Sequence, residues 1–188
     1  MTSATRVHIL AISGSLRQGS SNRALVEAAA RLAADSVNVA VYHQLEELPP
    51  FNPDLDGLDP PAPVTRFRAA LQACHGVLIS SPEYAHGVAG VMKNALDWVV
   101  GSGELVEKPV ALINASPRAT HAHAALIETL TVMSANLVAA ASITVPLQGR
   151  GLDASGIAAD PGLATALGAA IDALASVARR RLGGTRSS

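Results

Sequence analysis

Short apolar runs bounded by turn residues recur along the chain at Val7–Ile12, Val37–Val41, Val77–Ile79, Val110–Ile113 and Ile143–Val145. Runs of this length, rich in Val and Ile and without polar alternation, predict parallel strands covered on both faces. Between and after them apolar residues return at helical spacing, which predicts helices over Asn22–Ala34, Pro63–Ala73, Gly90–Val100, Ala122–Met133 and Pro161–Leu182. Strand and helix alternate throughout, so right-handed crossovers follow and the expected fold is α/β: a doubly wound five-stranded parallel sheet with helices on both faces. Two stretches break the pattern. Leu48–Pro63, with six prolines and three acids, predicts an irregular loop, and Gln148–Gly162 predicts a second. The apolar stretch Leu137–Val145 is Ala-rich and followed by Pro146. It predicts a buried strand and is too short for a membrane helix.

Composition narrows the class. A chain of 188 residues with 49% hydrophobic and 15% charged residues is expected to fold as one compact domain around one large aliphatic core. Lys plus Arg number 14 against 15 Asp plus Glu, so there is no global field to attract nucleic acid or an anionic membrane, and an anionic ligand needs a local site. The tail from Arg179 reads as a basic helix end that frays into solvent. Cys74 is the single cysteine, which excludes an intrachain disulfide and a Cys-rich metal site and fits a reducing cytoplasm. Beside an apolar strand, it is expected to be an inert core thiol. Val7–Ile12 lacks the length and flanks of an export signal or anchor, so neither export nor membrane association is expected.

The chemistry-bearing residues follow the strands. The first strand empties into Ser13-Gly14-Ser15-Leu16-Arg17-Gln18-Gly19-Ser20-Ser21-Asn22, after which a helix begins. Glycines let backbone N–H groups approach a ligand, hydroxyls add donors, Arg17 adds charge and the helix N-terminus adds a partial positive field, so the loop predicts a phosphate site. Capping of the helix by Ser20, Ser21 and Asn22 is the plainer role for those three. A triphosphatase loop is excluded because Ser20 stands where its lysine is required, and the dinucleotide pattern Gly-x-Gly-x-x-Gly lacks correctly placed glycines. A mononucleotide phosphate fits better. The third strand leads into Ser80-Ser81-Pro82-Glu83-Tyr84-Ala85-His86-Gly87-Val88-Ala89-Gly90-Val91-Met92-Lys93-Asn94-Ala95-Leu96-Asp97-Trp98. In a doubly wound sheet this loop and the first face a common crevice where the strand order reverses.

Both segments resemble the NADPH-dependent FMN reductase family, flavodoxin-like proteins that include quinone, chromate and azo-dye reductases. Gly14 to Asn22 is similar to the family's phosphate loop. Pro82, Glu83, Tyr84, Gly90, Lys93, Asn94, Ala95, Asp97 and Trp98 match its Pro-Glu-Tyr and Leu-Lys-Asn-Ala-Ile-Asp-Trp stretch. The resemblance spans residues 7 to 145. It implies a flavodoxin-like fold and bound FMN, with Ser15, Arg17, Ser20, Ser21 and Asn22 on the phosphate side and Pro82, Glu83, Tyr84, Ala85 and Gly87 along the isoalloxazine. It also implies hydride transfer from NADPH or NADH and reoxidation by a small-molecule acceptor such as free flavin, a quinone, a metal ion or an azo compound. Because the chemistry belongs to the cofactor, no catalytic acid or nucleophile is expected. A non-catalytic flavin-binding or nucleotide-binding sensor or structural module is the alternative.

The chain departs from the family at Ala85, Gly87 and Ala89, where Asn, Ser and Pro are common, and in the loop Asn114 to His121, where glycines are common. From that loop Ser116 is expected to contact the flavin, with Arg118 a weaker candidate. Met92, Leu96 and Val99 are expected to form the buried stripe of their helix, with Lys93, Asn94 and Asp97 closing its end. Trp98 is expected at a subunit contact, because family members associate through this helix and Ala122–Met133 as homodimers or homotetramers. His121 and His123, two apart at a helix start, point to different faces and suit no shared metal. No Gly-x-Ser-x-Gly elbow accompanies Ser13 or Ser15, which argues against a serine hydrolase.

Overall fold

The computed structural model describes residues 6–184. In chain order the elements are β1 (Val7–Ser13), α1 (Ser21–Leu32), β2 (Val37–Tyr42), α2 (Ala62–Ala73), β3 (Gly76–Ser80), β4 (Glu83–Tyr84), β5 (Gly87–Val88), α3 (Gly90–Val100), β6 (Pro109–Asn114), α4 (Thr120–Val132), β7 (Asn136–Leu137), β8 (Ile143–Thr144), α5 (Ala154–Ala159) and α6 (Pro161–Gly184). The main sheet is parallel, with order β2-β1-β3-β6-β7 and with β8 also pairing with β6. Successive residues of β1 face opposite ways, as pleating requires. Val7, Ile9 and Ala11 pack beneath α1 and α6 with Leu25, Val26, Leu167 and Leu174. Leu10 and Ile12 pack on the other face with Phe67, Leu71, Met92, Leu96 and Trp98 of α2 and α3. Apolar contact on both faces explains why these strands show no polar alternation.

The fifth strand is split. Asn136–Leu137 pairs with Pro109–Val110, and Ile143–Thr144 pairs with Ile113–Asn114. A 3-10 turn at Ala139–Ala141 lies between them, so the outer strand has more residues than β6 has partners for. The Ser142 hydroxyl bridges the gap, accepting from Leu112 N at 3.1 Å and donating to Val138 O at 3.0 Å. The Leu137–Val145 stretch is therefore not one continuous strand. Three successive alanines, Ala139 to Ala141, carry no branched side chain to favour extended backbone.

Gln148–Gly162 is not wholly irregular either. Asp153 caps α5 by accepting from Gly156 N at 2.7 Å, and Asp160 Oδ1 accepts from Gly162 N and Leu163 N, each at 3.0 Å, where α6 begins with Pro161. Asp before a helix and Pro at its first position are the start signals there. Among the described helices α6 is long and apolar enough by length and composition to cross a membrane. Its stripe Leu163, Leu167, Ala170, Ile171, Leu174 and Ala178 is buried in the core. The helix continues through Arg179, Arg180 and Arg181 to Gly184; the remainder of the basic tail lies outside the described residues.

Of the expected loop Leu48–Pro63, Ala62 and Pro63 already belong to α2; the rest is irregular apart from a 3-10 turn at Pro53–Leu55, and α3 pins it. Trp98 Nε1 donates to Pro49 O at 2.8 Å, Asn94 Nδ2 donates to the same oxygen at 3.0 Å, and Phe51 N donates to Asn94 Oδ1 at 2.7 Å. Trp98 is fully buried, with its ring edge-on to Phe51. The expectation that it packs at a subunit contact is thus wrong: the proline-rich segment of its own chain covers it. Asn94 also belongs to this anchor rather than to the helix end, while Lys93 pairs with Asp97 at 2.6 Å.

Candidate active site

The carboxyl ends of β1, β3 and β6 lie side by side and open into three loops. Gly14 N donates to Ser80 O at 2.8 Å, which joins the first two. A Cβ on Gly14 would come 2.3 Å from Ser81 Oγ, so glycine is required here by the contact between loops rather than by approach to a ligand. Beyond it, Ser15 N donates to Ser13 Oγ at 3.2 Å, and Ser20 N closes a turn onto Arg17 O at 3.3 Å with Gly19 at φ +70°. The amides of Leu16, Arg17, Gln18 and Gly19 have no acceptor among the described residues. Ser20 caps α1, its Oγ accepting from Asn22 N at 3.2 Å, and the first turn of α1 carries no acid to neutralise the positive helix end. Asn22 is buried, and its Oδ1 accepts from Ser80 Oγ at 2.9 Å, which fixes α1 to β3. The guanidinium of Arg17 has no acidic partner among the described residues.

The second loop forms a small hairpin in which Glu83 and Tyr84 pair with Val88 and Gly87. Its two central residues, Ala85 and His86, hold φ of 49° and 61°, the left-handed pair that the tightest hairpin turns require and for which Asn and Gly are favoured. Two contacts fasten the hairpin to α4. Glu83 Oε2 accepts from Ala122 N at 2.9 Å, satisfying an end of α4 that Ala119 cannot cap with a side chain. The His86 and His121 rings stack with centroids 4.2 Å apart. Tyr84 is 58% exposed.

The third loop lacks glycine but is well braced. Asn114 is buried, accepts from Ser116 N at 3.1 Å and donates to Ala119 O at 3.2 Å. Ala119 N donates to Ser116 O at 3.1 Å, and Arg118 N donates to Ser116 Oγ at 3.3 Å. Ser116-Pro117-Arg118-Ala119 is thus a β-turn with proline in its second position, where the ring presets φ.

The loops enclose a cleft of about 340 Å³ bordered by Ser21, Asn22, Ser81, Pro82, Glu83 and Asn114 to Ser116, together with Arg118, Ala119 and Gln148. Of the residues expected from sequence, Ser21, Asn22, Pro82, Glu83 and Ser116 border it. Ser20 faces an adjoining cavity of about 480 Å³ that shares Ser21 and includes Gln18 and Gly19, and Ser15 borders a smaller one with Leu16 and Tyr42. Arg17 lies on the loop between β1 and α1, and Tyr84, Ala85 and Gly87 on the hairpin that begins at Glu83; none of the four lines the cleft. Ser81, Asn114 and Gln148 escaped the sequence reading. The signal for Asn114 was an Asn at a strand end before Ser-Pro, a common loop-initiating combination. His121 and His123 diverge as expected. His123 lies against Ile79, Ser81 and Asn114 beneath the loops, and burial lowers its pKa.

Cys74 lies at the opposite end of β3. Its Sγ donates to Leu71 O at 3.2 Å, and burial raises its pKa against the opposing pull of Lys108. This is the environment of an unreactive core thiol.

Comparison with known proteins identifies the family and the fold. The profile of the NADPH-dependent FMN reductase family matches residues 7–148. An NAD(P)H-dependent FMN reductase of Pseudomonas aeruginosa is 37% identical over 112 residues, covering 58% of this chain and 60% of that one. An NADPH:quinone oxidoreductase of Arabidopsis thaliana is 36% identical over 113 residues, 57% of each. The chain therefore spans about three fifths of the length of these relatives. Among solved structures, FerB, a flavoenzyme NAD(P)H:(acceptor) oxidoreductase of Paracoccus denitrificans, superposes with a TM-score of 0.81 at 27% identity, covering 93% of this chain and 98% of that one. A WrbA-like flavodoxin of Agrobacterium tumefaciens, at 14% identity and a TM-score of 0.57, shares the fold. The braced cleft at the carboxyl ends of β1, β3 and β6 is thus set in a flavodoxin-like α/β fold, and the chain belongs to the NADPH-dependent FMN reductase family.

Proposed function

We propose that the chain binds FMN at this cleft and passes reducing equivalents from NADPH or NADH to a small-molecule acceptor: free flavin, a quinone, a metal ion or an azo compound. The observation that carries the reading is the cradle at Leu16–Gly19, whose amides lack acceptors, among the described residues, beside a helix N-terminus with no acid in its first turn and an Arg17 with no acidic partner among those residues. Backbone donors, helix field and guanidinium together match a terminal phosphate. The hydroxyls of Ser15, Ser20 and Ser21 add donors there, and Asn22 keeps the helix start fixed to the sheet.

Bound FMN supplies a ring that accepts hydride and returns electrons to the acceptor. The chain shapes and holds the ring's surroundings. Pro82 gives a flat apolar wall, Glu83 locks the hairpin of Tyr84, Ala85 and Gly87 to α4, and Ser116 sits in a rigid turn with its hydroxyl proton still free to donate. Asn114 and Pro117 brace this loop without glycine. The whole is read as one cytoplasmic domain, acting without nucleic acid or membrane partners. It is read as associating into a homodimer or homotetramer through outward residues of α3 and α4, where Val100, Ile127 and Val132 are exposed.

The experiment is a visible spectrum of the purified protein with equilibrium dialysis against FMN, followed by nicotinamide oxidation with a quinone. A flavin spectrum and turnover are expected. Absence of FMN binding overturns the reading, and bound FMN without nicotinamide oxidation favours a non-catalytic flavin module.

A further inference from the structure

The cleft is bordered by two charged side chains, Glu83 and Arg118. Glu83 is engaged, its carboxylate holding Ala122 N. The Arg118 guanidinium is exposed and has neither an acidic nor a hydrogen-bonding partner among the described residues. Its backbone is nevertheless fixed. Pro117 precedes it, its own N–H is held by Ser116 Oγ, and the turn is closed at both ends through Asn114. A cation on a preset turn loses less freedom on binding than one on a flexible loop.

At the proposed phosphate cradle Arg17 already supplies a cation, which leaves Arg118 without an assigned partner. The cradle of Leu16–Gly19 follows β1, Arg118 follows β6, and β3 lies between them. Two strand spacings, together about 10 Å, separate β1 from β6, so the cradle and the turn that carries Arg118 are centred over different strands. Arg118 is thus open to a second anion. Position at an exposed rim favours a ligand that enters and leaves with each turnover over a resident cofactor. Among the proposed reactants, the reduced nicotinamide dinucleotide is the one that carries phosphates whatever the acceptor.

We infer that Arg118 anchors a phosphate of the reduced nicotinamide dinucleotide, as a binding and specificity residue for the hydride donor. This rests on the proposed flavin reading. The pyrophosphate and the 2′-phosphate present the same chemistry, and the test separates them.

The FMN-loaded protein and its Arg118→Gln and Arg118→Lys variants are titrated calorimetrically with NADP⁺, NAD⁺, 2′,5′-ADP and 5′-AMP. Loss of one charge-assisted bond weakens NADP⁺ by about tenfold or more in Arg118→Gln, with most of the affinity kept by Arg118→Lys. KM for NADPH rises while kcat holds. Loss confined to NADP⁺ and 2′,5′-ADP identifies the 2′-phosphate, whereas equal loss for NADP⁺ and NAD⁺ identifies the pyrophosphate. Unchanged dinucleotide affinity overturns the inference, as does a variant that changes only FMN affinity or midpoint potential, since Arg118 then serves the flavin. A wild-type protein that takes up no FMN defeats the flavin reading separately, and dinucleotide titration of that protein and its variants still decides the role of Arg118.

Discussion

Single residues separate what a sequence pattern can convey from what only packing decides. Gly14 looks like a ligand-facing glycine, yet its missing Cβ makes room for Ser81. Arg17 and the hydroxyls around it read as a phosphate loop because charge and donors beside a helix start suit an anion, and that role is a proposal for a variant to test. Arg17→Ala is expected to weaken FMN by about 1.5 to 3 kcal/mol and riboflavin much less, because only FMN offers a phosphate to the guanidinium. Parallel dialysis of the two ligands measures this, and equal losses would remove Arg17 from the phosphate site. Ala85 was legible as a departure from the family but not as a strained residue, since its φ of 49° depends on the hairpin closing. Asn tolerates that conformation better than Ala. Ala85→Asn should therefore raise stability by roughly 0.5 to 1 kcal/mol, seen as a higher urea midpoint at unchanged slope. A lower midpoint would mean that the turn has relaxed its backbone elsewhere.

Whole elements were legible where period and length agreed. The first four strands of the main sheet and the helices between them lie close to their expected positions because long apolar runs and 3.6-residue stripes are local signals. The fifth strand was not legible as two pieces, because its split depends on the Ser142 hydroxyl meeting Leu112 across the sheet. Trp98 was misassigned for a related reason: its cover, Pro49 and Phe51, lies in a segment whose path no periodicity describes. The hairpin is likewise governed from a distance, through Glu83 and the start of α4. Glu83→Ala should remove the acceptor of Ala122 N, cost about 1 kcal/mol as the loss of a helix cap does, and speed amide exchange at residues 120–123. Glu83→Gln keeps an uncharged acceptor and should retain part of the protection. Unchanged exchange in both variants would show that α4 does not depend on this contact.

At the scale of the whole molecule, the sequence carried the topology, and topology carried the site. Alternation of strand and helix brings the loops after β1, β3 and β6 to one edge, so three segments far apart in sequence could be assigned to one crevice before any side chain was placed. What alternation does not convey is the depth at which an ionisable group comes to rest. His123 lies beneath the cleft and His75 lies at the far end of the sheet. Burial lowers the pKa of both, and at His75 the neighbouring His8 and Lys108 lower it further. A histidine whose folded pKa lies below its ordinary value of 6.5 is protonated first in the unfolded chain. The unfolded state therefore binds more protons, and stability is lost as pH falls from about 6.5 through the folded values. Each group contributes a slope of at most about 1.4 kcal/mol per pH unit in that window. Asp160, whose carboxylate is favoured by bonds from Leu163 N and Arg150, loses its contribution only below its ordinary value of 3.8 and so acts in a more acid range. Urea unfolding of the wild type at pH 7.5 and 5.5 should show lower stability at the acid value. His123→Gln and His75→Gln should each reduce the difference, and the double variant should reduce it further, because the two sites lie at opposite ends of the parallel sheet and share no contact through which to couple. Equal loss of stability in the wild type and the double variant would assign the acid sensitivity to other groups.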